Sequence, residues 1–149
     1  MRQFALFAII VGITTPVQAA EITNMFIMPG FCEQLRVDNK PVAGCENKIM
    51  QVVYDSGRAS LVAVAEGDVY SFSGTEQRVR NGKIYQGLDQ VTIATASGTQ
   101  NHTVTGLCEF EDPFAGAASF TCKAHGDDGI IYNLVFATDG TPPEDSMAD

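Results

Sequence analysis

Residues 47–73 read NKIMQVVYDSGRASLVAVAEGDVYSFS, three runs rich in apolar and β-branched residues separated by the turns DSG and EGD. Asp, Ser and Gly favour tight reversals of the chain. Short strands joined by such turns form a β-meander, which is the connection that antiparallel sheets use. The stretch therefore predicts three paired antiparallel strands, at 47–54, 58–65 and 69–73.

The chain after residue 73 continues in the same way. Asn81-Gly82 is the strongest hairpin signal, because both residues tolerate the positive φ that a two-residue turn requires. Only residues 31–37 have a spacing that would allow one helical turn. We predict an all-β fold, an antiparallel sandwich or a small β-barrel of about eight or nine strands with two local disulfides.

Four cysteines support this prediction, namely Cys32, Cys45, Cys108 and Cys122. Four cysteines can be connected in three ways, and we favour the one that joins Cys32 to Cys45 and Cys108 to Cys122, because each bond closes a short loop that contains turn residues. In the chain-entropy account each bridge stabilises the fold by about 3 kcal/mol. The C-x-x-C spacing of zinc knuckles and redox dithiols is absent, so the cysteines are predicted to be structural.

The first nineteen residues, MRQFALFAIIVGITTPVQA, have the features of a signal peptide. Their apolar run of about ten residues is too short to span a bilayer as a helix, so we expect no stable membrane insertion. The protein is predicted to be periplasmic or secreted, in a compartment that permits disulfides. We expect a single β-domain over 20–138 and a disordered acidic tail over 139–149, DGTPPEDSMAD, which has little to bury.

The net charge of the chain limits the kinds of partner that it is expected to bind. Nine Lys and Arg residues face eighteen Asp and Glu residues, which gives a net charge of −9, and removal of the leader with Arg2 makes the body more acidic. Such a surface repels DNA, RNA and anionic membranes. A basic protein is the partner that this charge favours.

The candidates for chemistry are His102, His125 and acidic residues at 109–112 and 127–128. The acidic groups would lie close together if the second local disulfide forms, and carboxylate clusters carry acid–base chemistry or bind cations. No G-x-S-x-G turn is present to activate a serine. We expect no cofactor, no metal and no enzymatic activity; the alternative is a small secreted hydrolase or lyase that uses acidic residues near 109–128.

The middle of the chain has a likeness to a known family. Cys45 is followed by QVVYDSGRA at 51–59, VY at 69–70 and NGKIY at 81–85. This order of cysteine, strand, turn, strand and loop resembles the periplasmic inhibitors of c-type lysozyme over residues 45–86.

The resemblance implies a small disulfide-bonded β-barrel, with Asn81, Lys83 and Tyr85 in a loop presented to the enzyme. The family's loop is of the type S-G-x-x-Y, and this chain has Asn81 in place of the Ser. A rigid sheet would display turns such as 55–57, 81–83 and 111–116 to a partner, so we expect a non-catalytic binding, inhibitory or envelope-accessory protein. A carrier of a small apolar ligand in a barrel lumen is a third possibility.

Overall fold

The computed structural model describes residues 19–75 and 77–148, and within these ranges it contains strands and no helix. The predicted signal peptide lies outside the described residues except for Ala19. The strands are β1 (Ile22–Val37), β2 (Lys40–Pro41), β3 (Cys45–Tyr54), β4 (Ala59–Ala65), β5 (Asp68–Gly74), β6 (Gln77–Arg80), β7 (Lys83–Thr95), β8 (Gly98–Glu111), β9 (Ser119–Gly126), β10 (Ile131–Thr138) and β11 (Glu144–Asp145). The all-β prediction is confirmed.

In the described ranges, no helix has the length and apolar character that crossing a membrane would require.

Eight strands close into an antiparallel barrel, which decides between the two predicted architectures. Neighbours follow the order β1–β3–β4–β5–β7–β8–β9–β10, and β10 pairs with β1 again. Closure depends on β1, whose N-terminal half pairs with β3 while Gly30–Val37 pairs with β10. A register shift between Cys32 and Gln34 marks an irregularity in the second pairing. The helical turn considered at 31–37 does not form, because these residues belong to β1.

The interior of the barrel is filled by side chains from all around the sheet. Four phenylalanines are 2% exposed or less, namely Phe72, Phe110, Phe120 and Phe136. The rings of Phe110 and Phe120 stack with their centroids 4.7 Å apart. Because these side chains have almost no surface that water can reach, the middle of the lumen is a packed core.

One corner of the barrel requires a glycine. A Cβ atom on Gly74, the last residue of β5, would lie 1.5 Å from the carbonyl oxygen of Gly87 in β7. The neighbouring atoms are backbone atoms, which cannot rotate away as the end of a side chain can. The backbones of β5 and β7 therefore meet at a distance that any larger residue prevents.

Both predicted disulfides are confirmed. Cys108 and Cys122 lie directly opposite each other on β8 and β9, with their Cα atoms 4.0 Å apart, and both are buried in the core. Cys32 and Cys45 join β1 to the start of β3, with a Cα separation of 6.0 Å. One bridge therefore lies inside the barrel, and the other fastens the β1–β3 connection.

The C-terminal tail differs from the expectation of disorder. β11 pairs with β1, and the carboxylate of Asp145 accepts hydrogen bonds from Asn24 Nδ2 at 2.8 Å and from the backbone N–H groups of Met25 and Met147 at 3.2 and 3.0 Å. Composition predicted disorder because the tail has few apolar side chains. The structure holds the tail by polar contacts instead, which composition does not reveal.

We expect Asp145→Ala to release the tail while leaving the barrel folded. Hydrogen bonds from Asn24 and from the Met147 amide lower the pKa of Asp145. The contribution of this carboxylate is therefore present above the ordinary aspartate pKa and is lost as the pH falls through the lowered value. Amide hydrogen exchange should accelerate at Ser146 and Met147, and Leu134 in β10 should stay protected. Unchanged protection of Ser146 would show that backbone pairing alone holds β11.

Candidate binding surface

The β6–β7 hairpin extends from the closed part of the barrel. β6 pairs with β7 and with no other strand in the described ranges. All four residues of β6 are exposed, and Val79 keeps 76% of its surface exposed. An exposed strand with one free edge is unusual in a closed barrel, and it offers both side chains and backbone to a partner.

A two-residue turn holds the hairpin in one register. Asn81 and Gly82 have φ values of 52° and 76°, as the favoured hairpin turn requires. Arg80 consequently lies opposite Lys83. The hairpin predicted from Asn81-Gly82 is confirmed, and Asn81 is exposed at its tip.

Basic and apolar side chains share one face of this hairpin. Arg78 is opposite Tyr85, and Tyr85 is opposite Glu109 in β8, so these side chains project from the same side of the sheet. A shallow groove of about 390 Å³ is lined by Arg78, Val79, Arg80, Tyr85 and Leu107. We use the term hairpin surface for Arg78, Arg80, Asn81, Lys83, Tyr85 and Leu107.

Lys83 forms an ion pair at the edge of the hairpin surface. Its Nζ lies 2.5 Å from Oε1 of Glu109, and this hydrogen bond raises the pKa of Lys83. Both side chains remain well exposed, at 44% and 39%. Exposed ion pairs contribute little to stability, typically about 0–1 kcal/mol. Lys83 is therefore charged at neutral pH, and exchanging Glu109 for another carboxylate would cost little.

The acidic residues do not converge as expected. Glu109 faces Lys83, and Asp112 Oδ1 accepts a hydrogen bond from the Phe114 amide at the same end of β8. Asp127 follows the last residue of β9, at the other end of that strand, and donates its backbone N–H to the carbonyl of Thr103 in the middle of β8. The expectation failed because the disulfide pairs Cys108 with Cys122, and β9 then runs away from Glu109 toward residues 127–128. The two acidic groups thus lie at opposite ends of the barrel.

The two histidines have different positions. His125 lies on β9 opposite Ile131 and is exposed. His102 lies opposite the buried Val91, and its ring packs beside Tyr132 with a centroid distance of 5.6 Å. His102 Nδ1 is 3.8 Å from Asp128 Oδ2, and its Nε2 is buried. Nε2 of this ring is therefore closed to a ligand in solution.

A further polar feature could not be found from sequence spacing. Arg58 binds Asp89 through two hydrogen bonds of 2.9 and 2.5 Å, which links the start of β4 to β7. The hydrogen bond lowers the pKa of Asp89 and raises that of Arg58. The residues are far apart in the chain, and only the barrel register brings them together.

The sequence pointed to part of the hairpin surface. Asn81, Lys83 and Tyr85 were expected there, and the structure adds Arg78, Arg80 and Leu107. The first two could have been found from the alternation R-x-R on a strand next to Asn81-Gly82. Leu107 could not, because its neighbours are fixed by the β7–β8 register.

Searches against protein-family models, curated proteins and solved structures find no match for this chain. Fold and surface together define a small disulfide-bonded β-barrel that carries a basic hairpin on an acidic body.

Proposed function

We propose that this chain is an exported, non-catalytic binding protein of the inhibitory kind, whose hairpin surface enters an acidic cleft of a partner enzyme. The first candidate for the partner is a c-type lysozyme. The observation that carries the proposal is the β6–β7 hairpin: an exposed strand, rigidly turned at Asn81, with Arg78, Arg80 and Lys83 at its surface in a chain of net charge −9.

The chemistry of the hairpin suits the active site of a glycoside hydrolase. These enzymes hydrolyse their substrates with a pair of carboxyl groups that flank the scissile bond. A lysine or arginine at the tip of a narrow hairpin is able to pair with such carboxylates and block access to them. Lys83 already pairs with the carboxylate of Glu109, so a partner carboxylate would replace an equivalent contact.

The acidic body supports the same proposal at longer range. A partner with a basic surface would be attracted by the body and oriented by the oppositely charged hairpin, which raises association rates. This division of charge also disfavours acidic partners. It is consistent with the expectation of a basic protein as partner.

The barrel holds the hairpin in place at its base. Gln86 follows Tyr85 in β7, is fully buried and donates a hydrogen bond of 2.7 Å to the carbonyl of Ala59 in β4. It also lies opposite Cys108, so the buried disulfide stiffens the neighbouring strands. A preformed binding loop loses little conformational entropy when it binds.

The proposed function includes a location outside the cytosol. Two disulfides suit an oxidising environment outside the cytosol. The leader at 1–19 would deliver the chain there, to the periplasm or the medium, where lysozymes act on cell walls.

We expect the mature protein to inhibit a c-type lysozyme, and Lys83→Ala to raise the inhibition constant about 10-fold or more, because the loss of one charged contact with a partner carboxylate costs on the order of 1.4 kcal/mol. Lysozyme activity titrated with each variant is the measurement. Lys48→Ala is the matched control, since Lys48 forms a similarly exposed ion pair with Glu46 away from the hairpin. Equal effects of the two substitutions, or no inhibition of lysozyme or of other glycoside hydrolases, would contradict the proposal.

The geometry adds no observation in favour of the two alternative functions. The acidic residues proposed for a hydrolase lie at opposite ends of β9, and the lumen proposed for a carrier is occupied by phenylalanine side chains. The binding proposal is therefore the one that the described residues support.

A further inference from the structure

Two buried polar atoms lie at the end of the barrel away from the hairpin. They are Nε2 of His102 and the hydroxyl oxygen of Tyr132, and neither has a hydrogen-bond partner among the described residues. Tyr132 is only 1% exposed. An unpaired buried polar atom destabilises a fold, so two of them on neighbouring side chains need a physical explanation.

The barrel register brings both rings to the same interior position. His102 is on β8, and Tyr132 is on β10 opposite Ala124 of β9. The ring centroids are 5.6 Å apart and the rings are tilted by 41°. The two unpaired atoms therefore belong to neighbouring side chains, yet they do not hydrogen-bond to each other.

The position of Asp128 favours one tautomer of His102. Its Oδ2 is 3.8 Å from Nδ1 of His102, while its Oδ1 accepts a hydrogen bond of 3.0 Å from the Ile130 amide. A carboxylate beside Nδ1 favours the tautomer with the proton on that atom. In that tautomer, Nε2 is a buried hydrogen-bond acceptor.

Tyr132 supplies the complementary donor. Burial raises the pKa of Tyr132, and the negative charges of Asp128 and Asp38 raise it further. The phenol therefore stays protonated at physiological pH. A buried donor and a buried acceptor thus belong to two adjacent rings that make no direct hydrogen bond to each other.

We propose that this region is a binding site for a single water molecule, which accepts a hydrogen bond from the Tyr132 hydroxyl and donates one to Nε2 of His102. Bound in this way, the water satisfies both atoms and completes a polar chain from Asp128 through His102 to Tyr132. Buried waters commonly bridge polar groups that the protein cannot pair directly. The chain links β8, the β9–β10 turn and β10 at this end of the barrel.

The sign of a stability change tests the proposal. If the water is bound, Tyr132→Phe removes one of its partners and should lower the Tm by about 3–5 °C, the shift expected for roughly 1 kcal/mol in a domain of this size. If the hydroxyl is unpaired in a dry core, the same change removes a costly group and should leave the Tm unchanged or raise it. Either of the latter results would overturn the proposal.

Tyr70→Phe is the matched control. Tyr70 is also a largely buried tyrosine of the barrel, at 8% exposure, but its hydroxyl is not among the buried unpaired atoms of the described residues. We expect this variant to shift the Tm by less than Tyr132→Phe. Equal losses would point to a general effect of removing a hydroxyl, and would overturn the proposal.

A second measurement on the unaltered protein is independent of any variant. A high-resolution crystal structure should show one water within hydrogen-bond distance of both atoms, and imidazole ¹⁵N shifts should identify the Nδ1–H tautomer of His102. A direct contact between Tyr132 and His102, or a gap without a water, would refute the site.

Discussion

Replacing Gly74 with alanine should destabilise the barrel by more than about 3 kcal/mol, a loss that few single substitutions cause. The new Cβ would lie 1.5 Å from the Gly87 carbonyl oxygen and 2.6 Å from its carbonyl carbon. Both contacts are with backbone, so relief requires that β5 and β7 separate at the corner where β6 begins. Urea denaturation of the oxidised protein, followed by circular dichroism, measures the loss.

Gly57→Ala separates this clash from ordinary glycine effects. Gly57 has a φ of 85°, and a Cβ there would meet no atom within 4 Å. Alanine in this conformation costs about 1–2 kcal/mol from backbone strain alone. A Gly74 variant as stable as the Gly57 variant would mean that the β5–β7 contact is looser than described.

Removal of the buried disulfide should have the second large effect. We expect the double substitution of Cys108 and Cys122 by alanine to lower the free energy of unfolding by about 3 kcal/mol, because the unfolded chain gains conformational entropy. The cavity left in the core should lower it by about 1 kcal/mol more. Both residues are 1% exposed or less, and they lie on strands that continue to Phe110 and Phe120. Denaturant unfolding under non-reducing conditions gives the total.

The Cys32–Cys45 bridge provides the internal comparison. Its sequence separation of 13 nearly equals the 14 of the other pair, so loop entropy predicts almost the same loss for both. Cys32 and Cys45 are only partly buried, and their removal leaves a smaller space. A larger loss from this pair than from Cys108 and Cys122 would contradict the packing argument.

Much of the fold was predictable because it is local. The meander at 47–73, the Asn81-Gly82 hairpin and both disulfides depend on residues close together in the chain. Turn chemistry and short loops fix such features without knowledge of distant strands. These predictions are confirmed.

Closure of the barrel and the order of the C-terminal tail were not predictable, because both depend on residues far apart in the chain. Whether the sheet forms a barrel depends on β1 pairing with β3 in one half and with β10 in the other, a contact between the ends of the domain. The tail is ordered by Asp145, whose partners Asn24 and Met25 are more than 100 residues away. Sequence periodicity carries no information about such distant pairs.

The hairpin surface was likewise predictable only where it depends on residues close together in the chain. Lys83 and Tyr85 follow directly from the hairpin turn, so their position was predictable. The approach of Leu107 to that hairpin, and of His102 to Tyr132, depends on the register of β8 against its neighbours. A slip of one residue would move each of these side chains to the other face of the sheet.

The double role of β1 also governs how the molecule is made. The first strand to leave the ribosome finds half of its partners only in β10, nearly the last strand of the chain. Until that strand arrives, the backbone from Gly30 to Val37 has an unpaired edge, and long-range pairing of this kind is slow. A nascent chain therefore remains open while it is synthesised, which is the state that the proposed export through a narrow translocation channel requires.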